Sequence, residues 1–160
     1  MAKAKRRSYR RANIEVTEVT YLPGILDKLQ ELVQSEVHIG VEGDAEVGMI
    51  AGIHEFGSIK AGIPSRSFIG SGKKKSQAAI AKTVRAGVKD IVLGNLTARG
   101  LYKSIGKVGL DKVLRNFDRI KQPPLSPIYA RRKTNRRILQ DQEKLRDAIT
   151  YTVVKRRGRR

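Results

Sequence analysis

The chain lacks cysteine and tryptophan altogether, has two histidines, and is only 5% aromatic over 160 residues. Without cysteine it can form no disulfide, thiolate nucleophile or Cys-ligated zinc site, a usage typical of a reducing cytosol. With so few aromatics, the core has to be built from Ile, Leu, Val and Ala, which suits a helix-rich interior. No stretch approaches the roughly 20 apolar residues of a membrane span. The start, MAKAKRRSYRR, has the charge of a signal-peptide n-region but is followed by no apolar h-region. The sequence therefore predicts a protein that is soluble and intracellular when made, with no membrane partner.

Positive charge is what the chain has in abundance, with 34 Lys and Arg against 15 Asp and Glu and a net charge of +19. Residues 1 to 11 carry six basic groups and no acid, whereas residues 12 to 58 carry nine acids and Lys28 alone. A protein that merely coats nucleic acid gains nothing from an acidic third, which repels phosphate. The asymmetry fits copies that meet basic face to acidic face in a ring or stack, with surplus basic surface for another polyanion. The competing reading is a solvated surface that keeps the protein soluble.

The length suits one domain with tails. Residues 1–12 lack apolar periodicity and read as a mobile basic arm, 13–155 as a single α+β domain, and 156–160 as a basic tail. NIEVTEVTY alternates as a half-buried strand, and Ile25, Leu26, Leu29, Leu32 and Val33 follow at helical spacing. EVHIGV reads as a second strand that turns His38 to the solvent side. Residues 47–56 read as a short helix, and 57–65 as a loop. Ile80, Val84, Val88, Ile91 and Val92 mark one face of a long helix stopped by Gly94-Asn95. A second long helix runs from Leu96 to about Phe117; its glycines, Gly100, Gly106 and Gly109, suggest close helix packing or a break. Ser126 and Pro127 can start another helix. KLRDAITYTVVK closes with one helical turn and a third strand. The expected fold is α+β, a small antiparallel or mixed sheet packed with two main helices and flexible basic termini.

The motifs that resemble catalytic chemistry fail on inspection. His54-Glu55 begins a zinc-protease pattern, but Ser58 stands where the second histidine is needed. GSGKKKS lacks the first glycine and the hydroxyl of a phosphate loop, so its lysines read as solvated residues at a helix entry. Glu15 and Glu18 fall on opposite strand faces. No enzyme, metal or cofactor is expected. The basic segments carry no aromatic ladder or zinc module, which leaves phosphate contact without base readout.

Five segments in order, VHIGV, IAGIHEFGSIKAGIPSRSFI, LYKSIGKVGLDKVLRNF, PPLSPIYARRK and ILQDQEKLRDAITYTVVK, resemble the tail-completion or neck family of long-tailed bacteriophages. The resemblance covers roughly residues 37–155. Glu55, Phe56, Gly57, Pro64, Arg66 and Phe68 match the family's second segment, with Ser65 and Ser67 in place of Ala and Pro. Leu139, Asp141, Leu145, Arg146, Ile149, Thr150 and Tyr151 match its last segment, but Gln142 and Glu143 replace its Thr-Gly. The resemblance implies a non-enzymatic virion protein, assembled in the host cytoplasm. It would form a ring of six copies that caps the tail tube and joins it to the head connector and stopper proteins around the DNA passage.

On this reading Phe56 and Phe68 anchor the two ends of the loop, Gly57, Gly62 and Pro64 set its turns, and Glu55 pairs with Arg66 across it. The loop's middle is free to rearrange on docking. Candidate contacts to DNA in the lumen, or to acidic partner surfaces, are Lys5, Arg6, Arg7, Arg10, Arg131, Arg132, Lys133, Arg136, Arg137, Arg156 and Arg157. The alternative function is that of a small basic, sequence-independent nucleic-acid-binding protein of ribosomal or nucleoid type.

Overall fold

Two long helices joined by a four-residue turn organise the chain. The computed structural model describes residues 5–11, 14–132, 139 and 144–156. In order these form β1 (Lys5–Arg11), β2 (Ile14–Thr20), α1 (Leu22–Glu31), β3 (Ser35–Val41), α2 (Ala45–Phe56), α3 (Ile69–Leu93), α4 (Ala98–Arg119), α5 (Pro127–Arg132), α6 (Lys144–Asp147) and β4 (Ile149–Lys155). The architecture is α+β with α3 and α4 as its two main helices.

Local signals account for most of these boundaries. Asp44 caps α2 by accepting from Val47 N at 2.8 Å, and Thr97 caps α4 by accepting from Gly100 N at 3.1 Å. Gly94 ends α3 in the left-handed conformation at φ +84°. The α3 face read from sequence is the one that packs, whereas Leu26 and Val33 of the row read for the first helix are exposed. Ile91 is buried, and Ile80, Val84, Val88 and Val92 are half-buried. The two helices run antiparallel and close together, with Gly72 against Val113 and Gly87 against Leu101.

β3 and β4 pair antiparallel, Ile39 opposite Tyr151 and Val41 opposite Ile149, and the pair packs on α4. His38 lies on the outer, exposed face, 3.3 Å from Glu36. The core gathers Ala51, Phe68, Val113, Phe117, Leu139, Leu145 and Ile149, with Ile39, Val41, Leu110 and Leu114 around them. The Tyr102 hydroxyl donates to the Leu32 carbonyl and ties α4 to the end of α1. Burial pushes the Tyr102 phenol above its ordinary pKa. Arg146 closes a paired contact on Asp118, at 3.1 and 3.3 Å, and fixes α6 to α4.

Two expectations are corrected here. The expected single sheet of three distant strands is two separate two-stranded antiparallel sheets, because β2 pairs with β1 instead of joining β3 and β4. Residues 5–11 of the expected mobile arm are therefore a strand. Thr20 lies opposite Lys5 and Ile14 opposite Arg11, so β2 runs its whole length along β1 and has no backbone partner left to offer β3 or β4 on that edge.

The glycines of α4 are explained by the sheet as well as by helix contact. Gly106 faces Tyr151 and Gly109 faces Ile39, so the helix axis lies close to the strands. A Cβ on Gly106 would overlap the Tyr151 ring. Gly106→Ala should therefore destabilise by about 1–2 kcal/mol, the overpacking strain exceeding the helix-propensity gain. Gly48→Ala, on the open side of α2 with nothing within 4 Å, should instead stabilise by about 0.5–1 kcal/mol. Urea unfolding of the pair, read as opposite shifts in midpoint at constant slope, checks both signs.

Candidate functional site

The segment from His54 to Ser71 is shaped by backbone closure at one end and by three polar side chains at the other. Gly57 N donates to Ile53 O at 2.8 Å, and Gly57 then turns the chain at φ +80°. A Cβ there would stand 2.9 Å from Ile63 O and Ser65 N, so only glycine fits the turn. Ser58 and Ile63 exchange backbone hydrogen bonds of 2.8 and 2.9 Å, and Gly62, at φ +62°, donates to Ile59 O at 3.1 Å. The middle of the loop is thus a small closed hairpin and not the free span expected.

Beyond the hairpin, Arg66 N donates to His54 O at 2.6 Å and returns the chain to the end of α2. Glu55 then receives the start of α3. Its Oε2 accepts from Phe68 N and Ile69 N, and its Oε1 from Gly70 N, each at 2.9 Å, while the Ser67 hydroxyl donates to Oε1 at 2.6 Å. One carboxylate from a different helix therefore satisfies three free N–H groups at the positive end of the α3 dipole.

Arg66 points elsewhere. It is buried, 5% exposed, and its Nε and Nη2 donate to the carbonyls of Pro123 and Pro124 at 2.9 Å. Burial lowers its pKa from the ordinary value. The expected Glu55–Arg66 ion pair is absent: the helix terminus supplies the positive partner for Glu55, and two proline carbonyls hold the guanidinium.

Asn116 completes the clasp from α4. It is 3% exposed; its Nδ2 donates to Phe68 O at 2.8 Å and Ser71 Oγ at 2.7 Å, and its Oδ1 accepts from Lys75 Nζ at 2.6 Å. Lys75, read as a solvated lysine, is thus bound to the clasp. Sequence reasoning passed over Asn116, although an amide set among Val113, Leu114 and Phe117 on one apolar helical face is the signal that could have found it.

The two phenylalanines have opposite fates. Phe68 is 0% exposed and stacks edge-on against Phe117, with centroids 5.2 Å apart. Phe56 is 83% exposed and anchors nothing among the described residues. It follows the buried Ala51 by five residues, about 140° further round the helix, and so faces out. Met49 and Ile59 are exposed beside it in sequence. Phe56, Gly57, Ser58, Ile59, Gly62, Ile63, Pro64 and Ser65 line an open depression of about 490 Å³ with no titratable side chain in its wall. Its chemistry is that of apolar and backbone contact. Among the described residues no three His, Cys, Asp or Glu side chains gather into a metal site.

The basic candidates do not converge on this loop. Lys5, Arg6, Arg7 and Arg10 lie in β1, and Arg131 and Arg132 are exposed on α5. Arg156 pairs with Glu36 at 3.3 Å and donates its N–H to Gln34 O, which sets it against β3. Lys133, Arg136, Arg137 and Arg157, and with them Asp141, Gln142 and Glu143, fall outside the described residues. A further exposed basic row, Lys74, Lys82, Arg85 and Lys89, runs along α3. No protein-family model, curated protein or solved structure matches the chain.

Proposed function

We propose that the protein is a structural component of a phage neck. It would form a tail-completion ring that caps the tail tube and joins it to the head connector around the DNA passage, without catalysis. The observation that carries this reading is the division of labour in the segment from Ile53 to Gly70. Two of its charged members, Glu55 and Arg66, are turned inward to hold the segment, while Phe56 and Ile59 are left in solvent. An exposed apolar pair on a braced hairpin is costly for a free subunit and suits a surface that a neighbour covers. The occupant is a second copy of the chain. Glu42, Asp44 and Glu46 are exposed at the N-terminal end of α2, opposite to the end that carries Phe56, and the exposed Arg99, Lys103 and Lys107 of α4 are of complementary charge. The order of five family-like segments over residues 37–155 supports the same assignment.

Disrupting the gene in the phage that carries it should leave DNA-filled heads beside unattached tails under negative-stain electron microscopy. A plasmid copy should restore joined virions. Complementation by Phe56→Ser with Ile59→Ser should lower the yield of joined particles by about tenfold or more, the effect of losing even 1.4 kcal/mol of apolar contact. Normal virions from the disrupted phage would overturn the neck reading.

A further inference from the structure

The outward face of α3 has a different character from the loop. Its buried residues, Gly72, Ser76, Gly87 and Ile91, lie toward α4. At about 100° per residue, Lys74, Lys82, Arg85 and Lys89 fall in a sector of about 80° on the opposite side and span about 22 Å of helix. All four are exposed, and none makes an ion pair or hydrogen bond among the described residues. Between them stand the exposed Ala78, Ala81 and Ala86. The single carboxylate of the helix, Asp90, is half-buried at its C-terminal end. The comparable row on α4 is interrupted by Asp111, which pairs with Arg115 at 2.9 Å.

We propose that this face of α3 binds the phosphate backbone of double-stranded DNA without regard to sequence. Protein interfaces are enriched in aromatics and Met and depleted in Lys, whereas three of these four cations are Lys and the one large apolar side chain exposed nearby, Leu93, lies past the end of the row. A membrane-surface helix needs a free apolar face, whereas that of α3 is occupied by α4. Single strands are held by stacking on aromatics, and there are none here. What remains is a row of unpaired cations, separated by side chains too short to keep a phosphate backbone away. At 3.4 Å per base pair, 22 Å follows about six base pairs. This assignment stands apart from the neck reading, and it places the DNA contact on α3 instead of on the terminal basic segments.

The test uses the full chain and a short duplex of arbitrary sequence, with affinity followed by fluorescence anisotropy between about 50 and 200 mM KCl. The variant K74Q/K82Q/R85Q/K89Q keeps good helix formers at exposed sites, and its circular dichroism should match the parent. Its salt slope should fall by about 3–4, and its affinity at low salt roughly a hundredfold, since each phosphate contact contributes about 0.9 to the slope. The control R131Q/R132Q, on α5, should keep the parent slope. No binding by the parent at 50 mM salt would overturn the proposal, as would an unchanged slope in the α3 variant or a loss that appears only in the α5 variant. Poly-glutamate serves as the second probe. An α3 variant that loses poly-glutamate but holds DNA would make the face a site for acidic proteins and overturn it equally. None of these readouts involves head-tail joining, so this proposal and the neck reading can fail separately.

Discussion

Phe68→Ala should lower stability by about 3–5 kcal/mol, the usual cost of emptying a buried phenylalanine site. The side chain is fully enclosed, it stacks edge-on against Phe117 at 84°, and it sits in the cluster that joins α2, α4, α6 and β4. Its backbone is equally committed, with the N–H held by Glu55 and the carbonyl by Asn116. Relaxation that would fill the cavity therefore pulls against the clasp, which places the cost toward the upper end of the range. In a domain whose total stability is about 5–15 kcal/mol, the variant should have a strongly reduced urea midpoint at 25 °C. Phe68→Leu, closer in volume, should lose less than about 1.5 kcal/mol. Phe56→Ala should stay within about 0.5 kcal/mol of the parent, because its ring is already in water. A Phe68→Ala loss below about 1 kcal/mol would mean that Phe68 is not the core anchor described.

The contrast between these two phenylalanines shows where sequence reading reaches and where it stops. Periodicity located α3, α4, β3 and β4, because their apolar residues recur at 3.6 or 2, and Ile91, Val113, Phe117 and Ile149 among them are buried. Phe56 escaped that logic: as an apolar residue beside a loop it reads as an anchor, and only its angle relative to Ala51 reveals that it faces out. The pairing of β1 with β2 was hidden for a related reason. β1 has no apolar alternation, so periodicity gives no sign of a strand there. Glu55 and Arg66 are expected to pair with each other, and the structure gives each a different partner. Opposite charges at the two ends of a loop suggest a pair, while the competing partners, an N-terminal helix turn and two proline carbonyls, become visible only once the chain is folded. The α3 row was legible in principle, since Lys82, Arg85 and Lys89 keep helical spacing. Its cations are spaced three to eight residues apart, so in sequence they stand out less than the dense basic runs at residues 3–11, 131–137 and 155–160.

Glu55→Ala should cost about 2–4 kcal/mol, because it removes charge-assisted hydrogen bonds worth about 1.5–3 kcal/mol together with a helix cap worth about 1. The Phe68, Ile69 and Gly70 N–H groups would be left without their acceptor in a half-buried site, and the positive end of α3 would lose its counter-charge. Glu55→Gln retains one oxygen but turns an amide N–H toward backbone donors, so it should recover only part of the loss, settling at about 1–2 kcal/mol. The pattern of protection separates this role from a general loss of packing. Hydrogen exchange should accelerate first at residues 68–70 in both variants, ahead of the middle of α3 and α4, because opening begins where the cap is missing. Uniform acceleration, or a Glu55→Ala cost under about 0.5 kcal/mol, would remove Glu55 from the clasp. The functional consequence follows from geometry. Glu55 immediately precedes Phe56, and the same carboxylate holds residues 67–70, a few residues beyond the hairpin that presents Ile59. In the neck reading, Glu55→Gln should therefore depress head-tail joining more than its stability loss explains, because it loosens the exposed apolar pair while the core still folds.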